Sequence, residues 1–172
     1  MPLAPDPAAP PVVAAMLEAA RRARVGPMAA VAGAVADYVG RGLAANSAQI
    51  IVENGGDIFV RSRQVREIAL VAEHNALAGL RIAIPAVPDG AGIATSAGTL
   101  GHSLSFGRAD AVMVFAESGA LADAIATAMG NMVNCAGDLK SALEWSRELG
   151  ARAAAILADG HMAAWGEIEL LG

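Results

Sequence analysis

A glycine-punctuated segment from Gly92 to Asp110 concentrates the side chains of this sequence that could do chemistry. It contains the imidazole of His102 and the hydroxyls of Thr95, Ser96, Thr99 and Ser103. Loops held between rigid elements commonly carry binding and catalytic groups, and a histidine between glycine and serine is a candidate general base. The alternative for His102 is a structural hydrogen bond that orders the loop. The segment predicts a loop that binds a phosphorylated ligand.

Asp123 and Thr127, a carboxylate and a hydroxyl, come after this segment. They are four residues apart on a predicted helix, so both point to one face. They are hard oxygen ligands of the kind Mg²⁺ accepts when waters and substrate phosphates fill its other positions. Two structural alternatives stay open. Asp123 near a helix N-terminus is stabilised by the helix dipole alone, and Thr127 can bond back to the carbonyl of residue 123.

A third candidate is the run Asn54, Gly55, Gly56 and Asp57, which predicts a tight hairpin turn. Paired glycines also let a flat ligand approach the backbone, with polar neighbours available for its hydroxyls or amines. The turn alone is a sufficient explanation of this run.

A serine hydrolase is a further alternative, with Ser96 or Ser103 as nucleophile beside His102 and Asp110. Neither serine has the strand-to-helix context of a nucleophile elbow. Walker and dinucleotide motifs are missing from the sequence.

The composition limits the class of protein that can present these groups. The chain has 172 residues, 55% of them hydrophobic and 17% charged, which predicts one domain with a real core. A net charge of −5, a single lysine and 3% aromatic residues argue against nucleic-acid binding. The proline-rich N-terminus has no signal-peptide pattern, and no apolar run is long enough to span a membrane. We therefore expect a soluble, cytoplasmic protein. Its one cysteine, Cys135, is expected to be a small buried apolar residue.

Helical and strand patterns predict an α+β fold in which β-hairpins and sheet pack against Ala-rich helices, with a possible internal duplication. We expect a Pro-rich tail over residues 1–11 and one domain over 12–172. A helix follows the tail, and Pro27 opens a second helix. Turn signals fall at residues 85–90, Ser118 caps a third helix, and hairpins turn near residues 55 and 160. The apolar face of the second helix is predicted to be Met28, Val31, Ala32, Val35, Val39 and Leu43.

In combination, several segments resemble one family: Val25–Asp37, Val52–Ile58, Ala94–Asp110, Leu121–Ala128 with Asn131, and Ala164–Ile168. They are similar to the small, functionally uncharacterised relatives of the ApbE-type flavin transferases, over roughly Pro11 to the C-terminus. The similarity to the transferases themselves is thinner. It consists of the Gly-Gly-Asp run, the Ala-Thr-Ser stretch with a histidine after it, and the Ala-Asp-Ala-x-Ala-Thr motif.

The resemblance implies an ApbE-like fold and a role for each matching residue. Asp123 and Thr127 would hold magnesium, helped by a backbone carbonyl near residues 29–32. His102 would be the base, and FAD would lie against the Gly-Gly-Asp run and the hydroxyl-rich segment. The family's reaction moves the flavin mononucleotide part of FAD onto a protein threonine, so an acceptor protein is implied as a partner.

Two departures from the transferase pattern bear on activity. The chain reads His102-Ser-Leu-Ser where the transferases have a His-Ile-x-Asp-Pro pattern, and the Ala32-Gly33 step lacks their lysine. The leading expectation is a magnesium-dependent FAD or nucleotide site, as a degenerate flavin transferase. The alternative is a non-catalytic ligand-binding or assembly protein that keeps only the fold. We also expect a homo-oligomer, because Ala-rich surfaces and uncovered sheet edges invite pairing.

Overall fold

Two antiparallel sheets and four α-helices make up residues 1–69, 81–96 and 108–171, the part of the chain that the computed structural model describes. The helices are α1 (Pro11–Ala23), α2 (Val31–Leu43), α3 (Gly119–Met132) and α4 (Leu139–Glu148). Short 3₁₀ turns, Pro27–Ala30 and Ala136–Asp138, precede α2 and α4. The strands are β1 (Ile50–Asn54), β2 (Asp57–Ser62), β3 (Arg66–Ala69), β4 (Arg81–Ile84), β5 (Val87–Ser96), β6 (Ala111–Ala116), β7 (Ala151–Ala158), β8 (His161–Gly166) and β9 (Glu169–Leu171). This α+β arrangement agrees with the predicted fold class.

The larger sheet has the strand order β1-β2-β5-β6-β7-β8 and separates two layers of the core. Strand β6 contributes to both layers, because alternate side chains of a strand point to opposite faces of the sheet. Val112 and Val114 pack with the helices, whereas Met113 and Phe115 pack against the smaller sheet, β3-β4-β9. Burial on both faces explains why this strand is an uninterrupted apolar run.

Three glycines bring α2, α3 and β5 into direct backbone contact. A Cβ on Gly33 of α2 would lie 2.1 Å from the carbonyl oxygen of Gly119, and one on Gly92 of β5 would lie 2.0 Å from the Gly119 nitrogen. No larger residue fits such a contact, because a side-chain carbon would overlap backbone atoms that cannot move aside. The first turns of α2 and α3 therefore meet over the middle of β5, a central strand.

The predicted apolar face of α2 is wrong. Of its members, Met28, Val35, Val39 and Leu43 are exposed, while the buried residues of α2 are Gly33, Ala34, Ala36, Asp37 and Gly40. Close packing selects small residues on the inner face, so the larger aliphatic side chains are left outside. Gly40 illustrates the constraint, because its Cβ would lie 2.0 Å from the ring of Phe59.

Other expectations about the elements are confirmed or corrected in turn. Both hairpins form, with turns at Gly55-Gly56 and at Asp159-Gly160. Ser118 caps α3, accepting a hydrogen bond from the Leu121 N–H at 3.2 Å. The turn predicted over residues 85–90 is wrong, because β5 already begins at Val87. Strand β5 also extends to Ser96, so Thr95 and Ser96 belong to a strand and not to the loop that the sequence predicts.

Cys135 is exposed, which contradicts the expectation of a buried thiol. It precedes the 3₁₀ turn before α4, and its backbone N–H donates to the Asp138 carboxylate at 3.2 Å. The sequence pattern did not predict this turn, which leaves Cys135 in an exposed polar loop and not in the core. Within the described ranges, no helix has the length and apolar character needed to cross a membrane.

Candidate functional site

Two carboxylates, Asp57 and Asp123, meet beneath the end of the larger sheet and are hydrogen-bonded to each other. Asp57 is the first residue of β2 and is only 5% exposed. It shares the strand parity of Phe59, which packs against Ala36 of α2, so its side chain is on the helix face of the sheet. Asp123 is half-buried on the second turn of α3. The fold thus joins residues that are 66 positions apart.

Backbone amides hold each carboxylate in place. The N–H of Gly33 donates to Asp123 Oδ2 at 3.1 Å, which is possible because α2 approaches α3 so closely. The N–H of Thr95 donates to Asp57 Oδ1 at 3.3 Å. The amide of Ala32 also hydrogen-bonds Asp123. Amides from neighbouring elements therefore hold both carboxylates, so neither side chain turns freely.

The hairpin between β1 and β2 is tied to the start of α2 and to β5. Asn54 Nδ2 donates to the carbonyl of Ala32 at 3.1 Å, and Thr95 Oγ1 donates to the carbonyl of Gly56 at 3.2 Å. A Cβ on Gly56 would lie 2.8 Å from that hydroxyl, and Gly56 has a φ of +101°. Glycine is therefore required there on both counts. The Ala32 carbonyl falls in the 29–32 range expected to face the site.

Burial raises the pKa of Asp57 well above the usual carboxyl range, and repulsion from the neighbouring Asp123 raises it further. Burial also raises the pKa of Asp123, opposed mainly by the Gly33 amide. Among the ion pairs between described residues, none involves either carboxylate. Two facing carboxylates without a cationic side chain need a shared proton or a bound cation to offset their charge.

The structure brings together only some of the predicted site residues. Asn54, Gly56, Asp57, Thr95 and Asp123 form the contacts described above, and Gly55 completes the turn with a φ of +63°. Ser96 and Thr127 are half-buried, the first at the end of β5 and the second one helical turn beyond Asp123. Thr99, His102 and Ser103 lie outside the described residues.

Sequence reasoning missed two features of the site. It assigned Asp57 to a nucleotide pocket, whereas the structure places this carboxylate against Asp123. It also missed the Gly33 amide, which donates to Asp123. The alternation of Asp57 and Phe59 along β2 indicates which face Asp57 occupies, but only the tertiary fold shows what it meets there.

Comparison with known structures shows which architecture this is. The ApbE protein of Thermotoga maritima superposes with a TM-score of 0.62 at 17% identity, covering 83% of this chain and 51% of that one. The flavinyl transferase ApbE of Pseudomonas stutzeri gives 0.58 at 18% identity, covering 82% and 46%. At these identities the likeness concerns the fold, which is that of the ApbE flavin transferases.

Sequence comparison then gives the family. A family model described as "AbpE bacteria" matches residues 1–156. A UPF0280 protein of Methanocaldococcus jannaschii is 46% identical over 126 residues, 72% of this chain and 51% of the relative. A UPF0280 protein of Methanothrix thermoacetophila is 37% identical over 164 residues, 93% of this chain and 68% of the relative. The chain belongs to the AbpE bacteria family and spans about half the length of several curated relatives that it matches.

Proposed function

We propose that this protein binds FAD or a related nucleotide in a magnesium-dependent site and that it is a degenerate flavin transferase. The observation that carries the proposal is the junction of α2, α3, β5 and the β1–β2 hairpin, where Asp123 is held by the Gly33 amide beside Asp57. In a chain with the ApbE fold, this junction collects the predicted metal ligand, the Gly-Gly turn and Thr95.

The donor set suits magnesium. Asp123 and Thr127 supply a carboxylate and a hydroxyl from one helix face, both hard oxygen ligands. The facing carboxylates have no ion pair with a described cationic side chain, so a divalent cation would offset their charge. When bound, magnesium would neutralise the pyrophosphate of a dinucleotide and leave its phosphorus open to attack.

The chain's own residues would bind the nucleotide and move one proton. Asn54, Gly55, Gly56 and Asp57 would form one wall of the pocket, and Thr95, Ser96, Thr99 and Ser103 would line the phosphate path. His102 would take the proton from an acceptor threonine as its oxygen attacks the phosphorus of the flavin mononucleotide part. The bond to the bridging oxygen then breaks, and AMP leaves with both electrons of that bond.

A non-catalytic binding protein is the second candidate, and the site itself favours it in one respect. The step Ala32-Gly33 lacks the lysine of the transferases. The chain's one lysine, Lys140, is an exposed residue of α4 with Glu144 within 3.8 Å. A protein that binds the nucleotide without turnover would keep the two carboxylates and lose the lysine that the transferases have in this step.

The test is a titration of FAD into purified protein with and without Mg²⁺, followed by flavin fluorescence and by chromatography for AMP. The proposal expects magnesium-dependent binding that Asp123→Ala abolishes while the circular dichroism spectrum stays native. Asp89→Ala, which removes an exposed carboxylate of β5, is the matched control and should bind like wild type. Binding that survives Asp123→Ala contradicts the site. Binding without AMP release favours the non-catalytic candidate.

A further inference from the structure

A cavity of about 350 Å³ lies between α1 and α2, where both helices meet the start of α3. This volume is at the lower end of the range for small-molecule pockets in proteins. Apolar side chains form much of the lining, among them Val12, Ala15 and Leu121, and α2 contributes Asp37. None of the described residues that line the cavity belongs to the site proposed above, so the cavity is a separate feature of the fold.

Asp37 is buried at this cavity with one carboxylate oxygen unsatisfied. The residue is only 8% exposed. Its Oδ2 accepts the N–H of Ala120 at 3.3 Å, and the amide of Gly119 also stabilises the charged form. Oδ1 has no hydrogen-bond partner among the described residues. Because a buried oxygen without a donor costs free energy, almost all such oxygens in proteins have one. The structure therefore calls for a donor at Oδ1.

The cationic side chains at the cavity are engaged with other groups. Arg22 of α1 donates to the Glu117 carboxylate at 2.7 Å. Arg41, one turn beyond Asp37, lies over the Phe59 ring at 5.5 Å from its centroid. Its charge favours the ionised form of Asp37, but none of the ion pairs between described residues joins the two. An ammonium group from a ligand would supply both the missing N–H and a compensating charge.

The shape of the cavity suits such a ligand. The last torsion of an aspartate side chain has a broad minimum, so a small rotation of the Asp37 carboxylate turns Oδ1 toward the cavity at low cost. Ala15 and Tyr38 also line the cavity and are exposed, so a small molecule can enter from solvent. Leu121, which is buried, forms part of the inner wall. The apolar lining favours an alkyl chain on the ligand, because that chain leaves water when it binds.

We propose that this cavity binds a small aliphatic primary amine, whose ammonium group donates to Asp37 Oδ1 and whose alkyl chain packs against Val12, Ala15 and Leu121. An alcohol would supply a donor without the charge, and a carboxylate would be repelled by Asp37. The inference goes beyond the proposed function and does not depend on it, because the two sites share no described residue.

The test titrates n-butylamine and n-hexylamine, both protonated at neutral pH, into isotope-labelled protein and follows the Ala120 amide signal by NMR. We expect saturable shifts for wild type and binding at least about tenfold weaker for Asp37→Asn, because a hydrogen bond between charged groups is lost. The side-chain oxygen of this variant can still accept the Ala120 N–H. Glu18→Gln is the matched control, since it removes an exposed carboxylate at the same cavity that is paired with Arg21 at 2.9 Å. It should bind the amines like wild type.

Comparison with n-hexanol tests the chemistry of the ligand. Bound n-hexylamine should lower the pKa of Asp37, because a neighbouring positive charge favours the ionised carboxylate, whereas n-hexanol should not. The carbon signal of the carboxyl group reports this change. An alcohol that binds as tightly as the amine would overturn the inference, because the cavity would then recognise the alkyl chain alone. No saturable shift with either amine, or equal losses in Asp37→Asn and Glu18→Gln, would also overturn it.

A second variant covers the case in which Asp37→Asn alters folding. Ala15→Phe places a ring in the cavity from the exposed side of α1 and leaves the buried carboxylate unchanged. It should abolish n-hexylamine binding while the circular dichroism spectrum stays native. Ala14→Phe, at an exposed neighbour that does not line the cavity, should bind like wild type. Undiminished binding to Ala15→Phe would place the amine elsewhere and contradict the inference.

Discussion

Asp37 and Asp57 are both buried carboxylates, but their surroundings give them different tasks. Asp37 lies where α2 crosses the start of α3, and its Oδ2 accepts the N–H of Ala120 at 3.3 Å. This contact satisfies an amide at the N-terminus of α3, where a carboxylate is favoured by the helix dipole. Asp57 faces a second carboxylate. The Ala120 contact gives Asp37 a structural role, whereas Asp57 lies against the residue proposed to bind the metal.

The pH dependence of stability should reveal the burial of Asp37. Burial raises its pKa above the usual value of about 3.9, despite the amides of Gly119 and Ala120 and the charge of Arg41. The folded protein therefore holds this proton more tightly than the unfolded chain does. The contribution of Asp37 is fully present below about pH 4 and is lost as the pH rises through the raised pKa.

Asp37→Asn isolates that contribution, because other titrating groups cancel in the difference between variant and wild type. We expect the unfolding free energy of the variant, relative to wild type, to rise between about pH 4 and pH 7. Urea denaturation at several pH values measures the difference, and Asp89→Asn, an exposed carboxylate, is the control. A difference that does not change with pH would show that the pKa of Asp37 is not raised.

At the residue scale the sequence was informative where chemistry depends on local spacing. Asp123 and Thr127 are recognisable because four residues form one helical turn. The contact of Asp57 with Asp123 could not be predicted in this way, because it depends on how β2 and α3 pack. The Gly33 amide carries no side chain at all, so its hydrogen bond to Asp123 has no signature in the residue types.

At the scale of elements, α2 shows why a pattern of large aliphatic residues can mislead. Its larger side chains, such as Val35 and Leu43, are 41% and 45% exposed, while Ala36 is fully buried. Hydrophobic periodicity identifies a buried face only if burial favours bulk. Where backbones nearly touch, as at Gly33 and Gly119, burial favours small residues and the signal reverses.

Gly33→Ala tests this close approach. The new Cβ would meet the carbonyl of Gly119, and backbone atoms cannot move aside as a flexible side chain can. We expect a loss of about 3 kcal/mol or more in unfolding free energy, the upper part of the usual range for overpacking. Chemical denaturation followed by circular dichroism gives the value.

Gly42→Ala is the matched control on the same helix. A Cβ at Gly42 meets nothing within 4 Å, so the substitution adds no contact. It should stabilise the protein by roughly 0.5–1 kcal/mol, because alanine loses less conformational freedom than glycine in a helix. Equal effects of the two substitutions would show that α2 does not pack against α3 as described.

At the scale of the whole molecule, the larger sheet separates the candidate site from the second layer of the core. Asp57 and Phe59 face the helices, where Asp57 meets Asp123 of α3, while Phe115 of β6 faces the smaller sheet. The sequence predicted β6 from its apolar run. It could not predict that β3, β4 and β9 cover its second face, because pairings between such distant strands leave no local pattern.

This layering predicts that stability and metal binding can be changed separately. Phe115 is fully buried, and the guanidinium of Arg152 lies over its ring at 4.5 Å from the centroid. Phe115→Ala should lower the unfolding free energy by about 3–5 kcal/mol, because it removes buried surface and leaves a cavity. The same variant should keep its Mn²⁺ affinity under conditions where it is folded, since the cavity is on the face of the sheet opposite Asp123. Urea denaturation and Mn²⁺ titration on the same preparation test both expectations, with Met162→Ala on exposed β8 as a control that changes neither. A folded Phe115→Ala protein with weakened Mn²⁺ binding would mean that the two layers are coupled through the sheet.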